Sequence, residues 1–319
     1  MKKILLLLLF TFELYAPYPS SERHDTPVPL LVPTPSGYLL RTPSGAELRR
    51  LRIPTVPEVI GPSSLSITQL ERSCSLNDSI GCAKLGYLYH TGEGVKQNYT
   101  KAKEYYTKAC NTNAYSNVAC NNLGELYEYG EGVKQNYTKA KEHYSKACRD
   151  GYNISCTNIG ILYMEGKGVK KDSTVAKRYF KRGCYLNDSA GCVNLSVLSS
   201  KNSSEAERYA RMGCELNSGL ACWQLGDLYH TKQNYMKAKR YFTKSCELND
   251  GTGCRKLGDL YTKSIGGLVQ DYSVAKKYYM KACELNDAVG CEQYDELENV
   301  DTFGITIFPD SDKNNEPNK

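Results

Sequence analysis

The stretch Cys82-Ala-Lys-Leu85-Gly86-Tyr-Leu88-Tyr89, with the turn Gly92-Glu-Gly94-Val95-Lys-Gln-Asn98 and then Thr100-Lys101-Ala102-Lys103-Glu104-Tyr105-Tyr106-Thr-Lys108-Ala109-Cys110, decides the fold. Apolar residues three and four apart on either side of the turn mark two amphipathic helices, A and B. Helix A recurs as Cys120 with Leu123-Gly124-Glu-Leu126-Tyr127, Cys156 with Ile159-Gly160-Ile-Leu162-Tyr163, and Cys254 with Leu257-Gly258-Asp-Leu260-Tyr261. The cysteine ending each helix B falls at 74, 110, 148, 184, 214, 246 and 283, and its companion at 82, 120, 156, 192, 222, 254 and 291. Six repeats and a closing half-unit follow. One such pair cannot bury its apolar faces, so neighbours must stack, and the predicted fold is all-α: a right-handed α/α solenoid of antiparallel helix pairs. Glycine at Gly86, Gly124, Gly160, Gly226 and Gly258 would destabilise a helix interior by up to about 1 kcal/mol. Its fixed register predicts close approach of helix B, with Ala102 or Ala140 as the small partner.

The flanks read differently. The chain has 319 residues, 40% of them hydrophobic and 24% charged, which excludes disorder throughout, collagen-like chains and polytopic membrane proteins. Met1-Lys2-Lys3 before the apolar run Ile4 to Phe12, with Leu14-Tyr15-Ala16 as cleavage site, reads as a signal peptide over 1–16. The run is too short to span a bilayer, so no transmembrane segment is expected after leader removal. The expected location is secreted or periplasmic. Ten of the twelve prolines lie between Pro17 and Pro62. That density predicts a flexible tether over 17–62 with neither helix nor sheet. Arg49, Arg50 and Arg52 within it read as a solvated charge run. Residues 63–300 form the repeat domain, and 301–319 a disordered polar tail. The formal charge of +6 is too small over this length to argue for nucleic acid.

The pattern Leu85-Gly86-x-x-Tyr89-x-x-Gly92-x-Gly94-Val95-x-x-Asn98-x-x-Lys101-Ala102-x-x-Tyr105-Tyr106-x-Lys108-Ala109 resembles the Sel1-like repeat, a relative of the tetratricopeptide repeat. With cysteines ending helix B and opening the next helix A, it is similar to the Helicobacter cysteine-rich proteins. The resemblance covers about residues 70 to 295. It departs in repeats four and five, where Ser199-Ser-Lys-Asn-Ser-Ser204 and Thr231-Lys-Gln-Asn-Tyr235 replace the Gly-x-Gly-Val turn. The resemblance implies penicillin binding and slow β-lactam hydrolysis, without a residue onto which a catalytic role carries.

Each cysteine pair flanks a linker such as Leu76-Asn77-Asp78-Ser-Ile-Gly81, where the chain leaves one helix and enters the next. A tight reversal brings the two Cα atoms within disulfide range. The predicted bonds join Cys74 to Cys82, Cys110 to Cys120, Cys148 to Cys156, Cys184 to Cys192, Cys214 to Cys222, Cys246 to Cys254 and Cys283 to Cys291. Zinc is the rival, but no spacing is Cys-x-x-Cys and the four histidines do not accompany the pairs, so no metal and no cofactor is expected.

Ser273-Val-Ala-Lys276 fits Ser-x-x-Lys, yet Ser-Asp-Asn and Lys-Thr-Gly are absent, and Ser273 aligns with Thr100, Thr138 and Thr174 as a helix-start residue. Whether the chain is an enzyme stays open; the activity implied is a weak β-lactamase. Positions one, five and eight after the helix A cysteine form a stripe opposite the Leu and Tyr core. Its candidate ligand residues are Tyr87, His90, Asn121, Glu125, Trp223, Asp227, His230, Arg255 and Asp259, placed on the concave face by analogy with tetratricopeptide proteins. The expected partner is a host or cell-envelope protein, a peptide or a peptidoglycan-like ligand, with β-lactams as the alternative. Lys101, Lys103, Lys108, Lys139, Lys141 and Lys146 read as solvated surface of helix B, and the tyrosines at helical spacing as core.

Overall fold

The computed structural model describes residues 31–34, 37–40, 65–112, 116–199 and 203–298. A lone helix α1 (Ile67–Ser75) precedes six pairs, A then B. These are α2 (Ser79–Thr91) with α3 (Tyr99–Cys110), α4 (Ser116–Tyr129) with α5 (Tyr137–Arg149), and α6 (Asn153–Glu165) with α7 (Ser173–Tyr185). They continue as α8 (Ser189–Leu198) with α9 (Ser204–Glu215), α10 (Gly219–Thr231) with α11 (Tyr235–Glu247), and α12 (Gly251–Thr262) with α13 (Tyr272–Glu284). The closing helix is α14 (Ala288–Glu298). The repeat domain is therefore the helical solenoid expected, with half a unit in front as well as behind, because α1 ends at the Cys74 disulfide as α3 ends at Cys110. Successive A helices pack on one another, α2 on α4 and then α6 through α14 in turn, more closely than successive B helices do. Helix A thus lines the inner side of the stack and helix B the outer side.

Inside each pair the glycine meets a ring. A Cβ added at Gly86, Gly124, Gly160, Gly226 or Gly258 would lie 2.5–2.6 Å from a ring carbon of Tyr106, Tyr144, Phe180, Phe242 or Tyr279. The expected partner was alanine, and the Ala140 carbonyl does lie 3.2 Å from a Cβ on Gly124, but the tightest contact is the aromatic residue one turn further along helix B. The fourth pair carries neither half of this contact: helix A has Ser196 in place of glycine and helix B has Ala210 in place of the ring. The Ser196 hydroxyl donates to the Ala206 carbonyl at 3.2 Å, and the neighbouring Tyr209 is buried instead. Tyr106, Tyr144 and Tyr209 are fully buried, as core tyrosines should be. A second set forms stacked pairs between helices A and B, such as half-buried Tyr163 on Tyr179 at 5.8 Å and buried Tyr229 on Tyr241 at 5.6 Å.

Turn chemistry follows the sequence closely. Gly92, Gly130 and Gly166 end helix A in the left-handed conformation. The second glycine of the turn faces the preceding repeat: a Cβ on Gly132 would sit 2.5 Å from Tyr99 Cβ. Asn98, Asn136, Asp172 and Asp271 then cap helix B with their side chains. Between repeats, the Asn of the Leu-Asn-Asp linker takes positive φ at Asn77, Asn187, Asn249 and Asn286, and the Asp at Asp78, Asp188 and Asp250 caps the next helix A. All seven expected disulfides are present, with Cα–Cα distances of 4.5–4.9 Å.

Two readings need correction. Lys146 is not merely solvated: its ammonium donates to the Cys110 carbonyl, at the C-terminus of the preceding helix B. Arg182 reaches Cys148 O at 2.9 Å and Lys244 reaches Cys214 O at 2.9 Å, so a cation two residues before the cysteine caps the neighbouring helix. Within the proline-rich stretch, β1 (Leu31–Thr34) pairs antiparallel with β2 (Gly37–Leu40), Pro33 opposite Tyr38. Sheet was not expected there, but a two-stranded ribbon is all edge, where a residue lacking N–H is tolerated. The leader 1–16, the tail 301–319 and the rest of 17–62 lie outside the described residues.

Gly124→Ala should destabilise the domain by about 2 kcal/mol. Combined with Tyr144→Ala, which copies the Ser196 and Ala210 arrangement, its effect should be less than additive by about 1 kcal/mol in urea melts. Strict additivity would show that the two side chains do not compete for space. Loop-closure entropy assigns each nine-residue disulfide loop about 2 to 3 kcal/mol as an upper value. Dithiothreitol should therefore lower the melting temperature sharply, and an unchanged melt would remove the disulfides as a source of stability.

Candidate ligand-binding site

The nine residues of the stripe fall into two groups. Tyr87, His90, Asn121 and Glu125 are buried, with Asn121 only 1% exposed, so α2 and α4 do not present the open face expected of them. Because A helices pack side by side, this part of the stripe joins repeats. Asn121 donates to Glu125 Oε1 at 3.0 Å and accepts from Ser155 Oγ at 2.8 Å, across to α6. His90 Nε2 lies 3.0 Å from Glu131 Oε2, and its Nδ1 lies 3.4 Å from the Tyr106 hydroxyl. On α4, Glu128 accepts from the buried Tyr144 hydroxyl at 2.7 Å. Burial and this carboxylate push the Tyr144 pKa well up, so the phenol stays protonated as the donor.

The remaining stripe residues are at least partly open. Trp223, His230, Arg255 and Asp259 are half-buried and Asp227 is exposed. Arg255 and Asp259 are nonetheless occupied. The Arg255 Nε donates to Asp287 Oδ1 at 3.0 Å, while Asp259 accepts from the Tyr279 hydroxyl at 3.0 Å and from Gln293 at 3.3 Å. They tie α12 to the capping end. Trp223, Asp227 and His230 are left on one face of α10, at spacings of four and three residues.

Gln224 belongs with them. The Trp223 Nε1 and the Gln224 Oε1 are both buried atoms without a hydrogen-bond partner, a donor and an acceptor on adjacent residues. The sequence reading missed Gln224 because it stepped by one, five and eight from the cysteine. The signal lies at two, where successive A helices carry Lys84, Asn122, Asn158, Asn194, Gln224, Lys256 and Gln293, mostly side-chain amides. Asn158 shows which way the position faces, toward Asn121 of the preceding helix A.

Ser273 and Lys276 do not form a working pair. Ser273 is the exposed second residue of α13, whose cap is Asp271 rather than the serine. The Lys276 ammonium lies over the Tyr294 ring, 5.3 Å from its centroid.

Comparison with known proteins agrees with this architecture. Sel1 repeats are matched over residues 79–111, 117–152, 154–188 and 252–287, and a tetratricopeptide repeat over 220–252, where the glycine turn is missing. No curated protein sequence matches the chain significantly. Among solved structures, the Sel1 repeat protein of Oxalobacter formigenes is 24% identical, covering 75% of this chain and 98% of that one, with a TM-score of 0.60. The c5321 protective antigen of uropathogenic Escherichia coli is 23% identical with a TM-score of 0.66, covering 73% of this chain. The match spans only 52% of c5321. Cysteine-rich protein B of Helicobacter pylori is 33% identical over 40% of this chain and 89% of its own, with a TM-score of 0.32.

The two groups of stripe residues should separate on mutation. Asn121→Ala leaves buried partners unpaired and should cost about 1–3 kcal/mol of stability, while Asp227→Ala should change it by less than about 0.5 kcal/mol. Equal losses in thermal melts would place Asp227 in the fabric of the solenoid. With four matched Sel1 repeats, an interposed tetratricopeptide-like unit and a cysteine pair closing each junction, the chain carries Sel1 repeats over residues 79–188 and 252–287 and shares the fold of solved Sel1 repeat proteins.

Proposed function

We propose that the chain is a secreted or periplasmic binding scaffold whose inner face, at α10, holds an extended segment of a host or cell-envelope protein, a peptide or a peptidoglycan-like ligand. The observation that carries this reading is the unpaired Trp223 Nε1, next in sequence to the unpaired Gln224 Oε1. A buried donor or acceptor left unsatisfied costs about 1–3 kcal/mol, which a ligand supplying the partner would recover. A peptide group offers the matching acceptor and donor together, in a main chain or in a peptidoglycan stem. Asp227, exposed four residues from Trp223, favours a basic side chain on the ligand. Seven disulfides fit a non-cytoplasmic compartment. Among the described residues no helix is long and apolar enough to cross a membrane.

Trp223 is the chain's single tryptophan, so intrinsic fluorescence reports on this site alone. Peptides selected from a display library on the oxidised protein should shift its emission, and Trp223→Phe, which removes the N–H, should weaken them at least about tenfold. Selected peptides that bind the variant as tightly as the original would place the binding face elsewhere. A chromogenic cephalosporin assayed on oxidised and reduced samples tests the alternative: turnover confined to the oxidised fold would make the chain a weak β-lactamase.

A further inference from the structure

The formal charge of +6 hides a strong segregation. The six outer helices α3, α5, α7, α9, α11 and α13 carry twenty Lys or Arg against seven Asp or Glu. The six inner helices from α2 to α12 carry three against five. None of the twenty cations is buried, and among the described residues only Arg211 is in an ion pair, with Glu207 at 2.8 Å. Many lie over tyrosine rings instead. Lys101 sits over Tyr89, Lys139 over Tyr127 and Lys237 over Tyr229, at 4.8–5.2 Å from the centroids, and Lys141 and Lys239 cover Tyr163 and Tyr261 of the following repeat. A ring holds a lysine in place without neutralising it. Because the same positions recur from one helix B to the next, the charges form rows along the stack, at the roughly 8–10 Å spacing of packed helices.

The rows continue across α7, α9 and α11. Here Lys177, Arg178 and Lys181 are followed by Arg208, Arg211 and Arg240. Between α9 and α11, Arg211, Arg240, Tyr241 and Lys244 line a cleft of about 160 Å³, beside Cys214 and Glu215. The opening is of a size to seat one small anionic group between cations held by other contacts: Arg211 donates to the Tyr229 hydroxyl at 2.9 Å and Lys244 to Cys214 O.

We propose that this outer face docks a linear polysaccharide bearing sulfate or phosphate groups, independently of what the inner face binds. Rows of fixed cations match a chain of repeating charge. A flat bilayer would meet a convex surface whose exposed large apolar side chains, among the described residues, are Tyr185, Met236 and Met280, without the Trp, Phe or Leu of an inserting face. A nucleic acid would gain little from rings already stacked on each other or covered by lysine, where single-strand binders present open rings to bases.

The test compares two triple charge reversals that alter net charge equally. One is Arg178→Glu, Lys181→Glu and Arg240→Glu on the outer face; the other is Lys96→Glu, Lys134→Glu and Lys170→Glu in the exposed A-to-B turns. The oxidised full chain should bind heparin or phosphomannan saturably at 0.15 M salt. Its affinity should fall at least about tenfold on raising salt from 0.05 to 0.2 M. The outer-face variant should lose at least tenfold and the turn variant less than about threefold, with melting temperatures of both confirming the fold. Binding of heparin alone assigns sulfate, and of phosphomannan alone phosphate. Equal losses in both variants, no binding of either polymer, or tighter binding of duplex DNA or anionic vesicles would overturn the proposal.

Discussion

A ring lying where a side chain would otherwise begin is the contact on which this solenoid depends. Helix A can come close to helix B only because it has no Cβ at Gly86, Gly124, Gly160, Gly226 and Gly258, and the space is filled by Tyr106, Tyr144, Phe180, Phe242 and Tyr279. The glycine gives up helix propensity, about 1 kcal/mol at most, and a large apolar ring is buried in return. Once that distance is set, other features fall into place. The tyrosine pairs stack beside the buried ring, and the helix ends come near enough for each Leu-Asn-Asp reversal to be closed by a disulfide. The fourth repeat shows that the requirement belongs to the pair, because Ser196 and Ala210 change together there.

Much of this was legible in the sequence because it repeats. The cysteine period announced the helix pairs, and the short linker between cysteines announced their bonding. The glycine register was visible as well, but its partner was not. Ala102 and Ala140 are small and conspicuous at helical spacing, whereas the residue that touches the glycine is large and looked like ordinary core. Thr100 and Ser273 do stand in the first turn of helix B, while the caps come from Asn98 and Asp271, just before it. Which neighbour a side chain meets is something periodicity does not encode.

The stripe shows the same limit on a larger scale. Angular position about one helix placed Asn121 and Glu125 opposite the Leu and Tyr core, but exposure depends on the adjacent repeat. On α4 that neighbour supplies Ser155 and Asn158, and the polar stripe becomes an inter-repeat seam. Lys146 was misjudged for a related reason. Lys146, Arg182 and Lys244 belong to one repeat and cap the carbonyl end of the previous one. Residues at a repeat junction carry their meaning in two units at once.

In the regular repeats several polar groups of the inner face are taken up by the neighbouring unit, as Asn121 is by Ser155 and Asn158. The Sel1 matches stop at residue 188 and resume at 252. Between them lie Trp223 and Gln224 with their unpaired atoms, exposed Asp227, and the cleft of Arg211 and Arg240. Both proposed sites thus fall wholly or largely in the part of the chain that departs from the pattern. A physical reason connects these facts. Shortened turns in the fourth and fifth pairs lack the glycine that elsewhere meets the start of the preceding helix B, as Gly132 meets Tyr99, Gly168 meets Tyr137 and Gly266 meets Tyr235. Side chains released from holding repeats together are free to meet something else, so an irregular unit in a regular stack is where a scaffold of this kind can take on a partner of its own.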